Sequence, residues 1–113
     1  MSDLQCAATL LLVPYGQVES FARSLAGARI AHVWTGETET ALQAAEALAA
    51  ELGVGATTRS ELDDPHQSDL ALGDIADEHR GETVVVVVPG GAVTEIVIDS
   101  DGWQRHAWHG REG

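Results

Sequence analysis

The sequence predicts an α/β fold of three layers, in which helices cover both faces of a mainly parallel sheet and an antiparallel hairpin forms its carboxyl-terminal edge. Short apolar runs alternate with segments of helical periodicity, which is the order typical of βαβ units. Five consecutive valines follow Thr83, as in a parallel strand that is buried on both faces. At 113 residues the chain has the length of one domain, so we treat 1–113 as a single unit.

The amino-terminal half is predicted to alternate strands with helices. Pro14 ends the first apolar run, because proline cannot donate a hydrogen bond within a sheet. Thr35 or Gly36 stands before the second helical stripe and is its expected cap. The elements predicted here are a strand at 7–13, a helix at 17–26, a strand at 29–34, a helix at 41–52 and a weak strand at 54–58.

The carboxyl-terminal half is predicted to end in a hairpin. Residues 63–67 include Pro65 and are typical of a loop. Ser100-Asp101-Gly102 is the expected turn between the last two strands. The elements predicted here are a helix at 68–80, the valine strand at 83–88, a strand at 92–98 and a strand at 103–108.

Charge and composition exclude several kinds of partner. The net charge is -12, with 18 acidic residues against six arginines and no lysine, so nucleic acid and anionic membranes would be repelled. No apolar run approaches the roughly 20 residues that span a membrane, and the first one has no basic residue before it. We therefore expect a cytoplasmic protein without a signal peptide. The single cysteine, Cys6, excludes an internal disulfide and is interpreted as a buried residue.

The carboxyl ends of the parallel strands are the expected place for any ligand, because open α/β sheets bind ligands at that edge. In this chain those ends are predicted at 13–16, 34–36 and 88–91. The last of these, with Pro89-Gly90-Gly91, resembles an anion-binding nest, but a strand rather than a helix follows it. We interpret it as a plain turn.

Neither a metal nor a cofactor is expected. His106 and His109 are three residues apart in a predicted strand, so they lie on opposite faces, and no cysteine completes a ligand set. His32, His66 and His79 are scattered along the chain and are interpreted as residues of the surface or of helix ends.

Four segments resemble motifs of the histidine phosphatase (phosphoglycerate mutase-like) superfamily. Residues 11–19, LLVPYGQVE, are similar to the first strand and its RHGQTE motif, and residues 33–48, VWTGETETALQAAEAL, are similar to YSSPLxRARQTAEAL. Residues 61–64, ELDD, stand where the family has an LxE acid, and residues 81–91, GETVVVVVPGG, resemble GETVLVVSHGG. The order of the four segments, over most of the chain, implies a phosphoglycerate mutase-like fold.

The resemblance fails at every residue that would touch phosphate. The family uses a histidine nucleophile, arginines and a second histidine around the phosphoryl group, whose equatorial oxygens require cationic donors. The resemblance places Pro14 at the first arginine, Tyr15 at the nucleophile, Thr40 at a further arginine and Pro89 at the second histidine. Asp64 is the plausible survivor of the acid. These five positions are therefore expected to be vestigial, with no catalytic residue among them.

Three functions stay open at this point. The first is a non-catalytic pseudophosphatase that acts as a binding, regulatory or self-associating module. The second is a residual phosphatase or small-ligand-binding protein with a remodelled pocket around Tyr15, Thr40 and Asp64. The third is a component that completes a site in another chain. The positions expected to contact a small ligand are Tyr15, Gly16, Thr35, Thr40 and Gly90.

The expected partner is a second copy of the chain or an unidentified protein. Three tryptophans against one phenylalanine is an unusual ratio for a small domain, and tryptophan commonly anchors interfaces. An exposed sheet edge also favours pairing with another strand. We therefore expect a homodimer formed through the carboxyl-terminal hairpin and Trp34, Trp103 and Trp108.

Overall fold

In a computed structural model of the chain, the described residues are 7–24, 29–64, 67–90, 93–99 and 102–107. They form one sheet and the helices that cover it. The strands are β1 (Ala8–Pro14), β2 (His32–Thr35), β3 (Ala56–Thr58), β4 (Thr83–Val88), β5 (Thr94–Asp99) and β6 (Gly102–Ala107). The helices are α1 (Val18–Ser24), α2 (Glu39–Leu52) and α3 (Ser68–Glu78), with 3-10 turns at Tyr15–Gln17 and Ser60–Asp63.

The sheet has the strand order β3-β2-β4-β1-β5-β6. β4 pairs in parallel with both β1 and β2, and β2 pairs in parallel with β3. β5 and β6 then continue the sheet in antiparallel fashion from β1. The predicted fold class and the edge hairpin are therefore confirmed.

Two apolar clusters lie on opposite faces of the sheet and account for the three layers. Alternate residues of β1 and β4, such as Leu11 and Val85, pack with α1 and α2, whereas Leu10 and Val84 pack with α3. Val84 and Val85 are both completely buried. The valine run is therefore apolar throughout because both of its faces are covered, as predicted.

The expected cap of α2 was wrong. Thr35 is the last residue of β2 and its hydroxyl is buried, where it donates to the carbonyl oxygen of Ala41 at 3.1 Å. Thr38 is the cap instead, because its backbone is extended and its Oγ1 accepts from the backbone N–H of Ala41 at 3.2 Å. Neither Thr35 nor Gly36 stands at the position from which a side chain reaches the free N–H groups of the first helical turn.

Most other differences concern the ends of elements. One 3-10 turn, Tyr15–Gln17, forms where the first helix was predicted to begin, and the other, Ser60–Asp63, forms where a loop was predicted to begin. α3 ends at Glu78 rather than Arg80. The predicted strands at 29–34 and 54–58 begin later, at His32 and Ala56. Several predictions lie outside the described residues, namely those for Cys6, Pro65, His66, Gly91, Ser100, Asp101, Trp108 and His109.

Candidate functional site

The carboxyl ends of β1 and β4 lie side by side, because Pro14 is the register partner of Val88. Pro14 therefore stands next to the strand that leads into Pro89. Two prolines thus occupy the centre of this edge, where the resemblance places an arginine and a histidine. Neither proline has a backbone N–H or a polar side chain with which to bind an anion.

Tyr15 opens the 3-10 turn after β1 and is half-buried. Its hydroxyl oxygen lies 3.5 Å from Oγ1 of Thr38. Thr40 is exposed in the first turn of α2, two residues after the cap. The structure therefore brings Tyr15 to the amino end of α2, where Thr40 also lies. Thr35 contributes no free hydroxyl there, because it is buried and donates to Ala41.

Gly16 and Gly90 are exposed at the same edge. A methyl group on either residue would meet no atom within 4 Å of the described structure. Neither has the positive φ for which glycine is required. The fold itself therefore does not demand glycine at these two positions.

Asp63, rather than Asp64, is the carboxylate that reaches the loop after β2. Its Oδ2 accepts a hydrogen bond from the backbone N–H of Glu37 at 2.7 Å. Its Oδ1 is buried and has no hydrogen-bond partner among the described residues. Any side chain at Gly36 would collide with this carboxylate, so glycine is required there by close approach.

Asp64 has a different position. Its backbone N–H donates to Glu61, and its carbonyl oxygen accepts from the N–H groups of Gln67 and Ser68, both at 3.0 Å. Asp64 therefore joins the 3-10 turn to α3. The resemblance assigned the acid to Asp64, because ELDD stands where the family has its LxE acid, and it gave no indication of Asp63. Burial of Leu62 at 2% exposure sets the rotation of this turn and turns Asp63 toward β2.

Among the arginines that the structure describes, Arg59 has its backbone at this edge. Its N–H donates to the carbonyl oxygen of Thr35 at 2.8 Å. Its guanidinium is already paired. It makes two contacts of 3.3 Å with the carboxylate of Glu61 and one of 3.3 Å with Asp74 of α3. The hydrogen bond to Glu61 raises the pKa of Arg59 and lowers the pKa of Glu61. This cation therefore joins the turn to α3.

Two histidines that were interpreted as scattered are in contact at the opposite end of the sheet. The rings of His32 and His79 stack with centroids 6.1 Å apart. Trp34 lies against both, and its Nε1 donates to Nε2 of His79 at 3.2 Å. Only the position of His79 at the end of α3 was as predicted. Within the described ranges, no group of three or more potential ligands is placed to hold a metal ion.

No family model matches the chain, and no curated protein matches it in sequence. Solved structures do match. A phosphoglycerate mutase from Plasmodium falciparum superposes with a TM-score of 0.73 at 10% identity, over 96% of this chain and 95% of the mutase. YhfR of Bacillus stearothermophilus has a TM-score of 0.77 at 13% identity, over 93% of this chain and 98% of YhfR.

A third match is a candidate phosphohistidine phosphatase, SixA, from Agrobacterium tumefaciens. Its TM-score is 0.60 at 14% identity, over 90% of this chain and 95% of SixA. The fold thus defines a class: a three-layer α/β protein with a mainly parallel sheet and an antiparallel edge. More particularly, it is the fold shared with these three structures, a phosphoglycerate mutase-like fold, as the sequence motifs implied. In the part of the chain described, no helix is both long and apolar enough to cross a membrane.

Proposed function

We propose that the chain is a non-catalytic pseudophosphatase. The observation that carries this proposal is which side chains lie at the carboxyl edge of the sheet and how they are paired. Among the described residues, no histidine lies at the carboxyl ends of β1, β2 or β4, and the arginine of this edge, Arg59, is paired with Glu61 and Asp74. Phosphoryl transfer through a histidine needs a neutral imidazole and unpaired cationic donors around the phosphate.

The carboxylate of Asp63 further disfavours a phosphate at this edge. It already occupies the backbone N–H of Glu37, which would otherwise be available to an anion. A phosphate entering the loop after β2 would have to displace this carboxylate or lie beside it. A phosphate beside the carboxylate would be repelled by its negative charge, and the net charge of -12 adds to the repulsion.

A turnover assay tests the proposal directly. We expect the purified protein to hydrolyse p-nitrophenyl phosphate no faster than buffer. Turnover that is abolished by Tyr15→Phe or Asp64→Asn, but kept by Gln43→Ala on the exposed side of α2, would overturn it. A contaminating phosphatase would instead give equal rates in all three variants. Inorganic phosphate is also expected to leave the melting temperature unchanged, whereas a phosphate-dependent rise lost in Tyr15→Phe supports the small-ligand alternative.

We also propose that this pseudophosphatase associates with a second copy of itself through β6. β6 is the last strand of the described sheet, and residues 103–107 are all exposed. Trp103 is 38% exposed, and the guanidinium of Arg105 lies 5.4 Å from its ring centroid. The opposite edge, β3, has only three residues against the six of β6. The longer edge supports strand pairing better.

Charge and geometry favour a register centred on Gln104 for this pairing. Two identical antiparallel strands related by a two-fold axis pair residues of the same face, so the paired residue numbers differ by an even number. A register centred on Gln104 places Trp103 opposite the partner's Arg105, a favourable cation–π pair. Moving the centre to Arg105 would instead place this residue opposite its own copy, which is unfavourable between like charges.

Light scattering on variants of β6 tests the association. We expect a dimer for the parent chain and a monomer for Gln104→Glu, which would place two carboxylates opposite each other. Gln43→Glu makes the same change of charge on the exposed side of α2 and is expected to leave the dimer intact. A parent chain that is monomeric, or a Gln104→Glu chain that stays dimeric, would contradict this interface without affecting the turnover assay.

A further inference from the structure

Two histidines and a buried tryptophan form a cluster at the amino end of the sheet, away from the carboxyl edge. His32 begins β2, and Trp34 lies two residues later on the same face. His79 is the residue at which α3 ends. Its ring lies 6.0 Å from that of Trp34 and 6.1 Å from that of His32. The end of α3 is thus held against β2 by contacts between three aromatic rings.

The hydrogen bonds of the cluster specify one protonation state of His79. An indole N–H can only donate, so Nε2 of His79 must be the unprotonated nitrogen that accepts from Trp34. The proton of the neutral ring is therefore on Nδ1, which lies 2.8 Å from Oε1 of Glu82. Glu82, His79 and Trp34 form a short chain of hydrogen bonds in which each donor has an acceptor.

Protonation of His79 would break this chain at Trp34. An imidazolium carries N–H groups on both nitrogens, so Nε2 would present a donor to the donor of the indole. Trp34 is 7% exposed, and its indole N–H is satisfied by His79. The indole N–H would then be buried without an acceptor, which is an unfavourable state.

The elements that pack around His32 also influence its protonation. From β3, Oγ1 of Thr57 lies 2.6 Å from Nε2 of His32, and from α3 the groups that face it are His79 and Glu78. Burial lowers the pKa of His32 and the proximity of His79 lowers it further, while Glu78 opposes both effects. Two protonated rings at this distance would repel each other.

We propose that His79, Trp34 and His32 form an acid-sensitive latch that holds the end of α3 against β2 when the histidines are neutral and releases it when they are protonated. The latch is independent of phosphatase chemistry, since it lies at the other end of the strands. α3 is also held by Asp74, through Arg59, and by Asp69, which lies 3.5 Å from Arg105. Release is therefore confined to the end that carries His79.

Nuclear magnetic resonance of the indole N–H groups tests the latch. The resonance of Trp34 is assigned by its loss in Trp34→Phe. Between pH 7.5 and 5.5 we expect the Trp34 resonance to shift. Its hydrogen exchange, after correction for the pH dependence of the intrinsic rate, should accelerate by roughly tenfold, as for loss of one hydrogen bond. His79→Gln keeps a side-chain oxygen as acceptor but does not titrate, so of these two changes the acceleration of exchange should disappear. His106→Gln removes an exposed histidine of β6 and should leave them intact.

The titration of His32 gives a second readout, and its first part needs only the parent chain. In the parent chain its midpoint should lie below 6.5, and in His79→Gln it should rise because the repulsion by a second imidazolium is removed. A Trp34 resonance that is constant over this pH range would overturn the latch. So would an acceleration of the Trp34 exchange that persists in His79→Gln, or a His32 midpoint above 6.5 in the parent chain.

Discussion

The carboxylate of Asp63 accepts a hydrogen bond from the backbone N–H of Glu37 at 2.7 Å, and this contact closes the loop after β2 from within the chain. A side-chain anion therefore stands at the edge of the sheet where this fold would receive a ligand. The contact joins two segments 26 residues apart. It explains the glycine at position 36 and supports the proposal that this edge does not bind phosphate.

Asp63→Ala should destabilise the fold, because the N–H of Glu37 loses its acceptor. We expect the free energy of unfolding in urea, followed by circular dichroism, to fall by about 1–3 kcal/mol. Glu37→Ala is the matched control, since its exposed side chain is removed while the backbone N–H keeps Asp63. That control should stay within about 0.5 kcal/mol of the parent chain. Equal losses in both variants would argue against the contact.

Gly36→Ala should destabilise the fold through the same carboxylate. A methyl group at position 36 would collide with Asp63, and overpacking of this kind costs about 1–3 kcal/mol. Adding Asp63→Ala should relieve the collision, so the double variant is expected to lose less stability than the sum of the two single variants. Gly16→Ala, which meets no atom within 4 Å, is the control. Strict additivity would show that Gly36 and Asp63 do not touch.

Two leucines of α3 provide a test of which face of the helix meets the sheet. Leu72 is 2% exposed and Leu70 is 73% exposed. Leu72→Ala should lower the free energy of unfolding by about 2–5 kcal/mol, because it leaves a cavity in the cluster on this face. Leu70→Ala should change it by less than about 0.5 kcal/mol. The reverse order of effects would mean that α3 is rotated about its axis.

Stability should fall as the pH is lowered below 6.5, because the pKa of His32 is lower in the folded state than its ordinary value. In that range the unfolded chain binds more protons, so stability rises with pH and is complete above 6.5. The slope should be reduced in His32→Gln and unchanged in His106→Gln. Urea titrations at fixed pH values measure it. A slope unaffected by His32→Gln would refute this origin.

Glu61 contributes in a separate pH range. Its pKa is lowered by the hydrogen bond from Arg59, so its contribution is present above 4.5 and is lost as the pH falls further. Measurements between pH 5 and 7.5 therefore report the histidines with little interference from this ion pair.

Much of the fold was predictable because the signals for it are local. The alternation of strands and helices and the buried valine strand follow from side-chain periodicity within short windows. The ends of elements were less predictable. Thr38 rather than Thr35 caps α2 because β2 extends to Thr35, and strand pairing, not the sequence of the loop, decides where β2 ends.

The candidate site was predictable only in part. The motifs identified Pro14, Tyr15, Thr40 and Pro89 as the positions to consider, and the register places Pro14 beside Val88, immediately before Pro89. Which of two adjacent acids faces β2 depends on the rotation of a 3-10 turn. Burial of Leu62 sets that rotation, and no periodicity in so short a segment reveals it.

By itself, the sequence determined the class of fold and predicted the replacement of the phosphate-binding residues, since both depend on residue types at given positions along the chain. Only the tertiary structure decided that Asp63 closes the loop after β2, that Glu61 and Asp74 pair with Arg59, and that His79 meets Trp34. Each of these contacts depends on how separate elements pack. His79 and Trp34 are 45 residues apart and come together because α3 crosses the sheet and ends over β2.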